Sequence, residues 1–556
     1  MARSPELVFA ALGGVGEIGM NLAVYGFGPP DDRQWIAVDC GISFPGPDLP
    51  GVDVVFPDVR FLEQNRERLL GIVITHAHED HYGALMTLWP RLRAPVYATP
   101  FTAGLLEAKR GSDSIGVEIP VKIVRGGSRI MLGPFEVEFI PVAHSIPEAM
   151  ALAIRTSLGT VVHTGDWKID PAPQVGPITD VARLRAIGEE GVLALICDST
   201  NATRPGHSPS EGEVAAELKK LIAEAEGRVA FTLFASNVAR LRSIALAAEA
   251  AGREVVAVGR AIRRVVEVAT EIGYLRDAPP FREADQLEML PASNVVLILS
   301  GSQGEPRAAL ARVANQEDRL IRLGPKDTLV FSSRTIPGNE RPVNDIINKL
   351  VAQGVTVVTD RDRLVHVSGH PRQEELLEMY DWLRPDILVP VHGEPMHLAA
   401  QRELALRAGI PKILEAPNGS IARLAPVPVV FPNAIPVGRI YRDGTIVGDR
   451  EELGINERRR MSFAGHIAVS IILDHRGELE QAPQVALSGV PQRDMAGRAM
   501  ATIVGSAVRG AVVSIPRPRR RDPAFVADAV RRSVRAAVEE AWGKKPVCTV
   551  FLSVIE

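Results

Sequence analysis

Four potential metal ligands follow one apolar stretch of the sequence. The segment GIVITHAHEDHYGAL carries His76, His78, Asp80 and His81 within six residues. We expect an apolar strand that ends at Thr75, then these four side chains, and then a helix. Imidazole nitrogens and carboxylate oxygens without thiolates suit zinc, with manganese as the second choice. An exposed polar loop is the alternative, but a chain with 12 histidines would place three of them here only by accident.

Three more candidates stand at equivalent places, each directly after an apolar stretch that predicts a strand. His144 follows FEVEFIPVA, Asp166 follows TVVHTG, and His392 follows DILVPV. Taken singly, each is more readily explained as a hydrogen-bonded structural residue. Taken together with the first four, they supply enough ligands for two ions that share a carboxylate. The pattern therefore predicts a hydrolytic metal site at one rim of a sheet.

A glycine-rich segment near the start of the chain raises a different chemistry. GVGEIG fits the G-x-G-x-x-G pattern of dinucleotide-binding chains, and Asp39 lies twenty residues past its last glycine. That fingerprint requires a helix after the third glycine. Here MNLAVYGFG and WIAVDCG flank a Pro/Asp turn, which predicts a β-hairpin. The sequence therefore argues against a nucleotide cofactor at this place.

Composition limits the protein class. The chain has 556 residues, 46% hydrophobic and 23% charged, which is ordinary for two to four globular domains. Its formal charge of -4 means that a polyanion must meet a local basic groove or bound cations. Cys40, Cys197 and Cys548 lie far apart, so we expect small buried residues rather than disulfides or thiolate ligands. Without a secretion signal or a long apolar run, we expect a cytoplasmic protein with no membrane partner.

The order of elements predicts an interrupted first domain. Up to residue 205, short apolar strands alternate with turns and a few helical stretches, which is an α/β pattern. Residues 206–360 change to regular strand-helix units, which favour a parallel sheet with its own core. Residues 361–430 return to histidine-bearing loops, so we interpret the middle block as an insertion and this segment as the completion of the first domain. A linker over 431–462 and a small α+β domain over 463–556 follow.

Several segments in this order resemble a known family. H-x-H-x-D-H with later His, Asp and His is similar to the metallo-β-lactamase fold, and the inserted block is similar to its β-CASP branch. GGVGEIGMN, THAHEDH, CDSTNA, FASN, GSQGEP, IPGNE, HVSGH and PVHGE resemble the bacterial ribonuclease J family in order and spacing, across nearly the whole chain. The resemblance implies an αββα metallo-β-lactamase sandwich, an inserted parallel α/β β-CASP domain and a small C-terminal α+β domain.

The resemblance also implies roles for the candidate ligands. It implies two zinc ions per protomer, or manganese in their place, held by two sets that share Asp166: His76, His78 and His144 on one ion, and Asp80, His81 and His392 on the other. Asp39 matches an outer carboxylate that orients the metal site. Asp198 in CDST and His370 in HVSGH match an acid/base pair, and which of them protonates the leaving ribose oxygen stays open. From the residues alone, each is more readily explained as a cap, Asp198 of a turn and His370 of a helix that begins near Pro371.

The implied substrate is single-stranded RNA with a 5′ monophosphate. The resemblance implies that the RNA-binding residues are Ser236, Asn237, His366, Val367, Ser368, Gly369 and His370. Hydroxyls, amides and backbone N–H groups suit a doubly charged phosphate. Such a pocket one nucleotide from the metals implies 5′ to 3′ exonuclease activity, with weaker internal cleavage, in RNA maturation, including ribosomal RNA processing, and in RNA decay.

Further implied partners depend on the resemblance alone. It implies a homodimer or homotetramer formed with the help of the C-terminal domain, and partners in an RNA-decay assembly. The loop PGPDLPGVD and Asp449 match places where some relatives hold calcium, although surface turns explain both. The basic runs NERRRM and PRPRRRD suit RNA phosphates, an acidic partner or a solvated linker.

Two other functions compete with the ribonuclease. A small-molecule hydrolase of the lactonase or thioesterase type would explain the seven ligands, but not about 150 inserted residues that narrow access to the metals, nor HVSGH. A non-catalytic RNA-binding subunit is disfavoured, because such copies usually lose ligands and this chain has the complete set. We therefore predict a metal-dependent phosphodiester hydrolase.

Overall fold

The N-terminal part of the chain is built mainly of strands joined by short turns. The computed structural model describes residues 4–112, 117–336 and 338–555. Residues 1–3 of the N-terminal segment and Pro337 of IPGNE lie outside the described residues. The elements are β1 Glu6–Gly13, β2 Leu22–Gly28, β3 Gln34–Val38, β4 Val54–Pro57, α1 Arg60–Gln64, β5 Leu69–Val73, α2 Glu79–Tyr82, α3 Leu85–Leu92, β6 Val96–Ala98, α4 Pro100–Ser112, β7 Val121–Ile123, β8 Arg129–Leu132, β9 Phe135–Pro141, β10 Met150–Thr156, β11 Gly159–His163, α5 Val181–Glu190 and β12 Ala194–Asp198.

The middle block forms a separate parallel sheet, as its strand-helix alternation predicts. Its strands lie in the order β14-β15-β13-β16-β17 and are all parallel. Ser210 begins the block with a capping box, since its hydroxyl and the Glu213 carboxylate accept from backbone N–H groups of the first helical turn and the cap. The elements are α6 Glu211–Glu224, β13 Val229–Thr232, α7 Val238–Ala250, β14 Glu254–Val258, α8 Arg260–Ile272, β15 Val295–Leu299, α9 Ala309–Ala314, β16 Thr328–Phe331, α10 Glu340–Ala352 and β17 Thr356–Val358.

The chain then returns to the first two sheets. Strand β18 pairs in parallel with β12, and β20 pairs antiparallel with β1. The sheets have the orders β21-β20-β1-β2-β3-β5-β6-β7 and β19-β18-β12-β11-β10-β9-β8. The returning elements are α11 Gln373–Leu383, β18 Ile387–Val391, α12 Pro395–Arg407, β19 Lys412–Ile413, β20 Ile421–Ala425 and β21 Val429–Phe431.

The two sheets pack face to face and carry helices outside. Phe9 of β1 and Leu152 of β10 are fully buried in one core between the sheets. Leu388 of β18 lies in a second core, between the seven-stranded sheet and helices α5, α11 and α12. Helices α3 and α4 connect the outer strands of the other sheet and bury Leu88 and Phe101. This arrangement confirms the predicted αββα sandwich with an inserted parallel domain.

The C-terminal residues form a second compact unit, which comprises 44–54 and 440–555 within the described residues. A hairpin, two helices and a last strand occur as the sequence pattern predicts. The elements from the end of the first unit onward are β22 Arg439–Asp443, β23 Ile446–Gly448, α13 Ile455–Ala464, β24 His466–Leu473, β25 Gln484–Ser488, α14 Met500–Ser514, α15 Pro523–Trp542 and β26 Val547–Val554. Short 3-10 helices cover Arg66–Arg68, Ala284–Met289, Ala292–Asn294 and Arg517–Arg521.

The segment expected as a linker over 431–462 contains secondary structure. Strands β22 and β23 and helix α13 lie in it, and the basic run NERRRM is part of α13. Ile455 and Ala464 are the buried residues of α13. Two buried positions in a strongly charged helix leave no apolar repeat that the sequence could reveal.

The cysteines agree with the expectation from composition. Cys40, Cys197 and Cys548 are buried free thiols, and burial raises the pKa of Cys40 and Cys197 to about 12. Among the described residues, no helix combines the length and apolar character needed to cross a membrane.

The position of β18 in the second core predicts a stability effect. Replacing Leu388, which is fully buried, by Ala should lower the free energy of unfolding of the first unit by about 2–5 kcal/mol. Leu406→Ala on α12 is the matched control, because Leu406 is 55% exposed and should lose little. Urea unfolding followed by tryptophan fluorescence measures both, since Trp382 lies in the same core. Equal midpoints for the two variants would contradict this packing.

Candidate active site

The ligand candidates meet at one edge of the sandwich because the strands before them end there. Strands β9 and β11 run in the same direction because both are antiparallel to β10. Strand β18 shares this direction because β11 is parallel to β12, and β12 is parallel to β18. His144, Asp166 and His392 follow the carboxyl ends of these strands. The loop after β5 of the other sheet brings the HAHEDH segment to the same place.

The HAHEDH segment differs from the expectation at both of its ends. Strand β5 ends before Thr75, because Thr75 N donates to the Asp39 side chain at 2.8 Å rather than to a neighbouring strand. Helix α2 begins directly after His78, whose carbonyl accepts from the backbone N–H of His81 at 2.9 Å. Asp80 and His81 therefore lie inside the helix and not before it.

One group of possible ligands contains three imidazoles and one carboxylate: His76, His78, His144 and Asp166. One ligand atom from each lies within 4.8 Å of all the others. His78 Nδ1 is 3.0 Å from Nε2 of both His76 and His144. Asp166 Oδ2 is 3.7 Å from each of those two Nε2 atoms. The nitrogen lone pairs and the carboxylate oxygen can therefore converge on one cation.

A second group shares the same carboxylate: Asp80, His81, Asp166 and His392. Asp166 Oδ2 is 3.2 Å from His81 Nε2, and Asp166 Oδ1 is 3.8 Å from His392 Nε2. His392 Nε2 also lies 3.3 Å from Asp80 Oδ2. The two groups are therefore adjacent, and Asp166 belongs to both. Asp166 and His392 also form a third group of possible ligands with Asp198 and His370, the predicted acid/base pair.

The residues in these groups fit divalent metal ions. Asp166 Oδ1 is buried and has no hydrogen-bond partner among the described residues, although a buried carboxylate oxygen normally has one. The donors are nitrogen and carboxylate oxygen, which suit zinc or manganese. Burial lowers the pKa of His76 and His144 and brings the pKa of His78 to about 4, so these imidazoles are neutral, as metal ligands must be.

Hydrogen bonds behind the groups fix the ring orientations. Asp39 Oδ2 lies 2.7 Å from His81 Nδ1, which turns Nε2 of that ring toward the ligand group. His144 Nδ1 donates to Gly369 O at 2.7 Å, and His392 Nδ1 lies 2.7 Å from Thr200 Oγ1. Such partners set the tautomer and the direction of a ligating imidazole. The predicted outer role of Asp39 is thus matched by a direct contact with His81.

Two residues of the site have strained backbone conformations. Asp39 has φ +65° and His392 has φ +52°, in the left-handed region that residues with a Cβ rarely adopt. His392 is held there because its N–H donates to Gly14 O at 2.8 Å. Gly14 has φ +88°, and a Cβ on it would lie 2.3 Å from Asn21 Oδ1. The GVGEIG segment therefore supports His392 and leads into β2 rather than into a helix.

The predicted acid/base pair lies beside the ligand groups. His370 Nδ1 is 2.7 Å from Asp198 Oδ2, and the His370 ring stacks on His392 with centroids 5.4 Å apart. Burial disfavours the charge on both groups, but each partner outweighs it, so the pKa of Asp198 is lowered and that of His370 is raised. Asp198 Oδ1 also accepts from Thr200 N at 2.8 Å, as the turn-cap alternative predicts. Both descriptions of Asp198 therefore apply.

The HVSGH segment contacts the ligand groups through its backbone. A Cβ at Gly369 would lie 2.5 Å from Cε1 of His144, so only glycine fits beside that ring. Val367 is buried in the protein, whereas Ser368 is partly exposed. Burial lowers the pKa of His366 to about 3, so its imidazole is neutral. The segment thus offers neutral polar groups next to the predicted metal site.

The FASN segment is tied to HVSGH by one buried arginine. Asn237 Oδ1 caps α7 by accepting from Arg240 N at 2.9 Å. The Arg240 side chain is fully buried, pairs with Glu211 at 2.9 Å, and donates to Val365 O at 2.8 Å and to Ser332 Oγ at 2.5 Å. Ser236 and Asn237 are therefore fixed relative to the residue that precedes His366.

The loop and Asp449 that match calcium positions form no comparable group. Every group of three or more possible metal ligands found within the described residues lies at the site above. Asp449 Oδ1 instead accepts from the backbone N–H groups of Glu451 and Glu452, at 2.8 and 2.9 Å. This turn agrees with the surface-turn explanation.

Four family models match the chain along its length. The relative from Sinorhizobium meliloti, a ribonuclease J, is 58% identical over 553 residues, which cover 100% of this chain and 98% of that protein. The chain belongs to the ribonuclease J family. The matched models are "Beta-lactamase superfamily domain" at 34–219, "Ribonuclease J, beta-CASP domain" at 226–350, "Zn-dependent metallo-hydrolase RNA specificity domain" at 354–414 and "Ribonuclease J C-terminal domain" at 453–555.

Other relatives agree with this membership. The ribonuclease J of Mycolicibacterium smegmatis is 40% identical, over 97% of this chain and 95% of that protein. That of Thermus thermophilus is 38% identical, over 83% and 81%. A crystal structure of a protein of unknown function from Enterococcus faecalis V583 matches 75% of this chain and all of that chain with a TM-score of 0.53. At 18% identity it supports the fold alone. The chain is therefore a metal-dependent nuclease, as predicted.

Sequence reasoning missed several residues that hold the ribonuclease J site together. Thr75 and Thr200 bond to ligand imidazoles, and Asn201 bonds to Ser368 and His370. Their only signal is their position beside predicted site residues. Arg240 shares helix α7, VARLRSIALAAEA, with two other charged residues, Arg242 and Glu249, so only the structure reveals that Arg240 is the buried one.

The contact between Asp39 and His81 predicts the effect of Asp39→Asn on metal affinity. The backbone N–H of Thr75 can only donate, so the oxygen of the side-chain amide that this substitution introduces must face Thr75. The NH₂ of that amide then faces His81 Nδ1. The His81 proton then moves to Nε2 and blocks the predicted ligand atom. We expect zinc affinity to fall about 10–100-fold, as measured by competition with a chromogenic chelator.

Asp58→Asn is the matched control for that measurement. Asp58 is 4% exposed and accepts from Arg60 N at 3.0 Å, but it is not among the possible ligands of the site. Its variant should bind zinc as the wild type does. Equal affinity in both variants would show that Asp39 does not orient a metal ligand.

Proposed function

We propose that this chain is a two-zinc ribonuclease that removes nucleotides from the 5′ end of single-stranded RNA and prefers a 5′ monophosphate. The observation that carries the proposal is the Asp166 carboxylate, which is shared by two ligand groups beside the Asp198–His370 pair. The family membership supports RNA as the substrate, and weaker internal cleavage belongs to the same proposal.

The proposed ligand sets are the two groups that share Asp166. His76, His78 and His144 hold one ion, and Asp80, His81 and His392 hold the other, with zinc preferred and manganese as the alternative. Two such ions, when bound, supply Lewis acidity to a phosphodiester and lower the pKa of water. Asp39, Thr75 and Thr200 keep the imidazoles in the required directions.

His370 is the group that we propose as the general acid. Its side chain is 19% exposed, whereas the Asp198 side chain is fully buried, so only the imidazole can reach a substrate oxygen. Asp198 accepts from His370 Nδ1–H and leaves Nε2 to face the leaving ribose oxygen. Asp198 therefore acts as the positioning partner of this pair.

The end-reading pocket that we propose lies between two segments. Ser236 and Asn237 line one side, and the backbone and side chains of residues 366–370 line the other. Asn237 Oδ1 is used as the cap of α7, which leaves its NH₂ as the donor for a phosphate. Arg240 supports a constant distance between these two segments, because its side chain bonds to the backbone carbonyl of Val365 as well as to Glu211. Neutral donors in this number suit a phosphate dianion.

The direction of cleavage follows from that pocket. A metal site alone cuts a strand at any phosphodiester that reaches it. A pocket that holds the terminal phosphate one nucleotide away places the first internal phosphodiester at the ions. Repetition of that step gives 5′ to 3′ exonuclease activity. A triphosphate end adds bulk and charge that the pocket does not match.

The cellular setting and the domain boundaries complete the proposal. We place the protein in the cytoplasm as a homodimer or homotetramer, with RNA-decay partners, in RNA maturation and decay. The proposed boundaries at 205/206 and 360/361 are supported by strand pairing, because β13 to β17 pair with one another within the described residues. The boundaries predicted at 430/431 and 462/463 fall inside β21 and α13. The family membership favours the ribonuclease over the small-molecule hydrolase, because the matched models include an RNA specificity domain.

His370→Gln tests the proposed acid without disturbing the ions. The variant should lose about 10²–10⁴-fold in kcat, because the leaving ribose oxygen departs without a proton. Its zinc content, measured by mass spectrometry, should equal that of the wild type. Asp166→Asn is the contrasting variant and should lose both activity and zinc. Unchanged kcat in His370→Gln would refute the assignment of the acid.

The 5′-end preference is tested with one RNA prepared in three forms. A 3′-labelled single strand carries a monophosphate, a triphosphate or a hydroxyl at its 5′ end. We expect stepwise shortening from the 5′ end with the monophosphate form and slow cutting of the other two. A generic ester is included for the alternative hydrolase and should not be turned over. Equal rates on all three RNAs would overturn the proposed end preference.

A further inference from the structure

A buried asparagine contacts both the acid/base loop and the proposed phosphate pocket. Asn201 is 3% exposed and lies three residues after Asp198 in CDSTNA. Its Nδ2 is 2.9 Å from Ser368 Oγ and 3.1 Å from His370 O. The Asn201 side chain thus bridges Ser368 and His370 of HVSGH. Neither the sequence motifs nor the proposed chemistry assigns a role to Asn201.

The orientation of the Asn201 amide follows from the partners themselves. A backbone carbonyl can only accept, so the group that faces His370 O must be the NH₂ and not the amide oxygen. Ser208 Oγ donates to the same carbonyl at 3.1 Å, which uses its second lone pair. Asn201 therefore also presents N–H, and not oxygen, to Ser368.

This amide decides which way the Ser368 hydroxyl can act. A serine hydroxyl has two acceptor lone pairs and one O–H donor. Ser368 Oγ accepts from Asn201 Nδ2 and, at 3.3 Å, from His370 N. Both acceptor positions are then used, and no described residue accepts the O–H. Because Ser368 is partly exposed, that donor is left for a bound anion.

We propose that Asn201 is a positioning residue that fixes the Ser368 hydroxyl as a donor to the 5′ phosphate of RNA. The inference rests on the proposed function, because it assigns Ser368 to the monophosphate pocket. A freely rotating hydroxyl would turn a lone pair toward the phosphate for part of the time. The amide removes that orientation before the RNA binds, so the pocket is preorganised for an anion.

A simpler role for Asn201 is a brace for the loop that carries His370. The two roles differ in the step that they affect. A brace that fails displaces the general acid and lowers kcat for every RNA end. A lost hydroxyl orientation raises KM for the 5′-monophosphate form and leaves kcat nearly unchanged.

Asn201→Asp and Asn201→Leu test the inference together. Aspartate keeps the shape but accepts the Ser368 proton, which turns the hydroxyl away from the phosphate and adds a negative charge. We expect KM for 5′-monophosphate RNA to rise about 10–100-fold, with little change for 5′-hydroxyl RNA. Leucine removes the bond without charge and should give a smaller rise. Asn65→Asp is the matched control, since Asn65 Nδ2 also donates to a carbonyl, Phe61 O at 2.8 Å.

A double-mutant cycle with Ser368→Ala identifies the route of the effect. In the Ser368→Ala background, Asn201→Leu should cost almost nothing more, because the hydroxyl that it orients is gone. An undiminished cost in that background, or equal losses of kcat on both RNA ends, would overturn the inference. Thermal unfolding of each variant shows whether the fold is retained. If Asn201→Asp does not fold, Asn201→Leu alone tests the inference.

The wild-type protein separates this inference from the proposed function. If the wild type does not distinguish monophosphate from hydroxyl ends, the proposed end preference fails and the inference fails with it. If the wild type distinguishes them and Asn201→Asp does so equally well, only the inference fails. A loss of preference in the Asn201 and Ser368 variants, with the preference retained in Asn65→Asp, supports both.

Discussion

The site depends on one buried carboxylate that two groups of ligands share. Asp166 is 3% exposed and lies within 4 Å of ring nitrogens from five histidines. A carboxylate in such a place is costly unless positive charge and hydrogen bonds surround it. Burial opposes the charged form of His81 and His392, but Asp166 raises the pKa of both. The imidazoles of His81 and His392 therefore compensate the charge of Asp166, whereas the neutral imidazoles of His76, His78 and His144 are suited to bind a cation.

The candidate ligands are brought together at the edge of two sheets and not within a single loop. The ligands come from the loops after β5, β9, β11 and β18, which lie in two different sheets. The strained backbones of Asp39 and His392 show that local preference yields to this arrangement. Strain of this kind persists only where the surrounding structure over-determines the conformation. Here the Gly14 carbonyl holds His392, and Thr75 holds Asp39.

The sequence predicted much of this fold and site because their signals are dense and local. H-x-H-x-D-H, and the His or Asp that follows each of β9, β11 and β18, mark the candidate ligands through residue type and spacing. The predicted start of α2 was wrong because the helix begins where the His78 carbonyl accepts from the backbone N–H of His81. A hydrogen bond between backbone groups does not require particular residue types, so the sequence does not reveal it. Helix α13 was missed because a charged helix with few buried positions looks like a linker. Asn201 was missed because its role depends on which neighbours accept and which donate, and only coordinates reveal that.

The inserted block is tied to the returning chain beside the candidate ligand groups. Arg240 belongs to the insertion, yet its guanidinium bonds to Glu211, to Ser332 and to the backbone at Val365, where the chain returns to the first domain. A fully buried ion pair of this kind tolerates little displacement, since a broken pair leaves an uncompensated charge. The distance between FASN and HVSGH is therefore a property of the folded protein, present before any RNA binds. The proposed 5′-end specificity requires such a fixed distance, because the separation between the proposed phosphate pocket and the candidate ligand groups would set the length of each step.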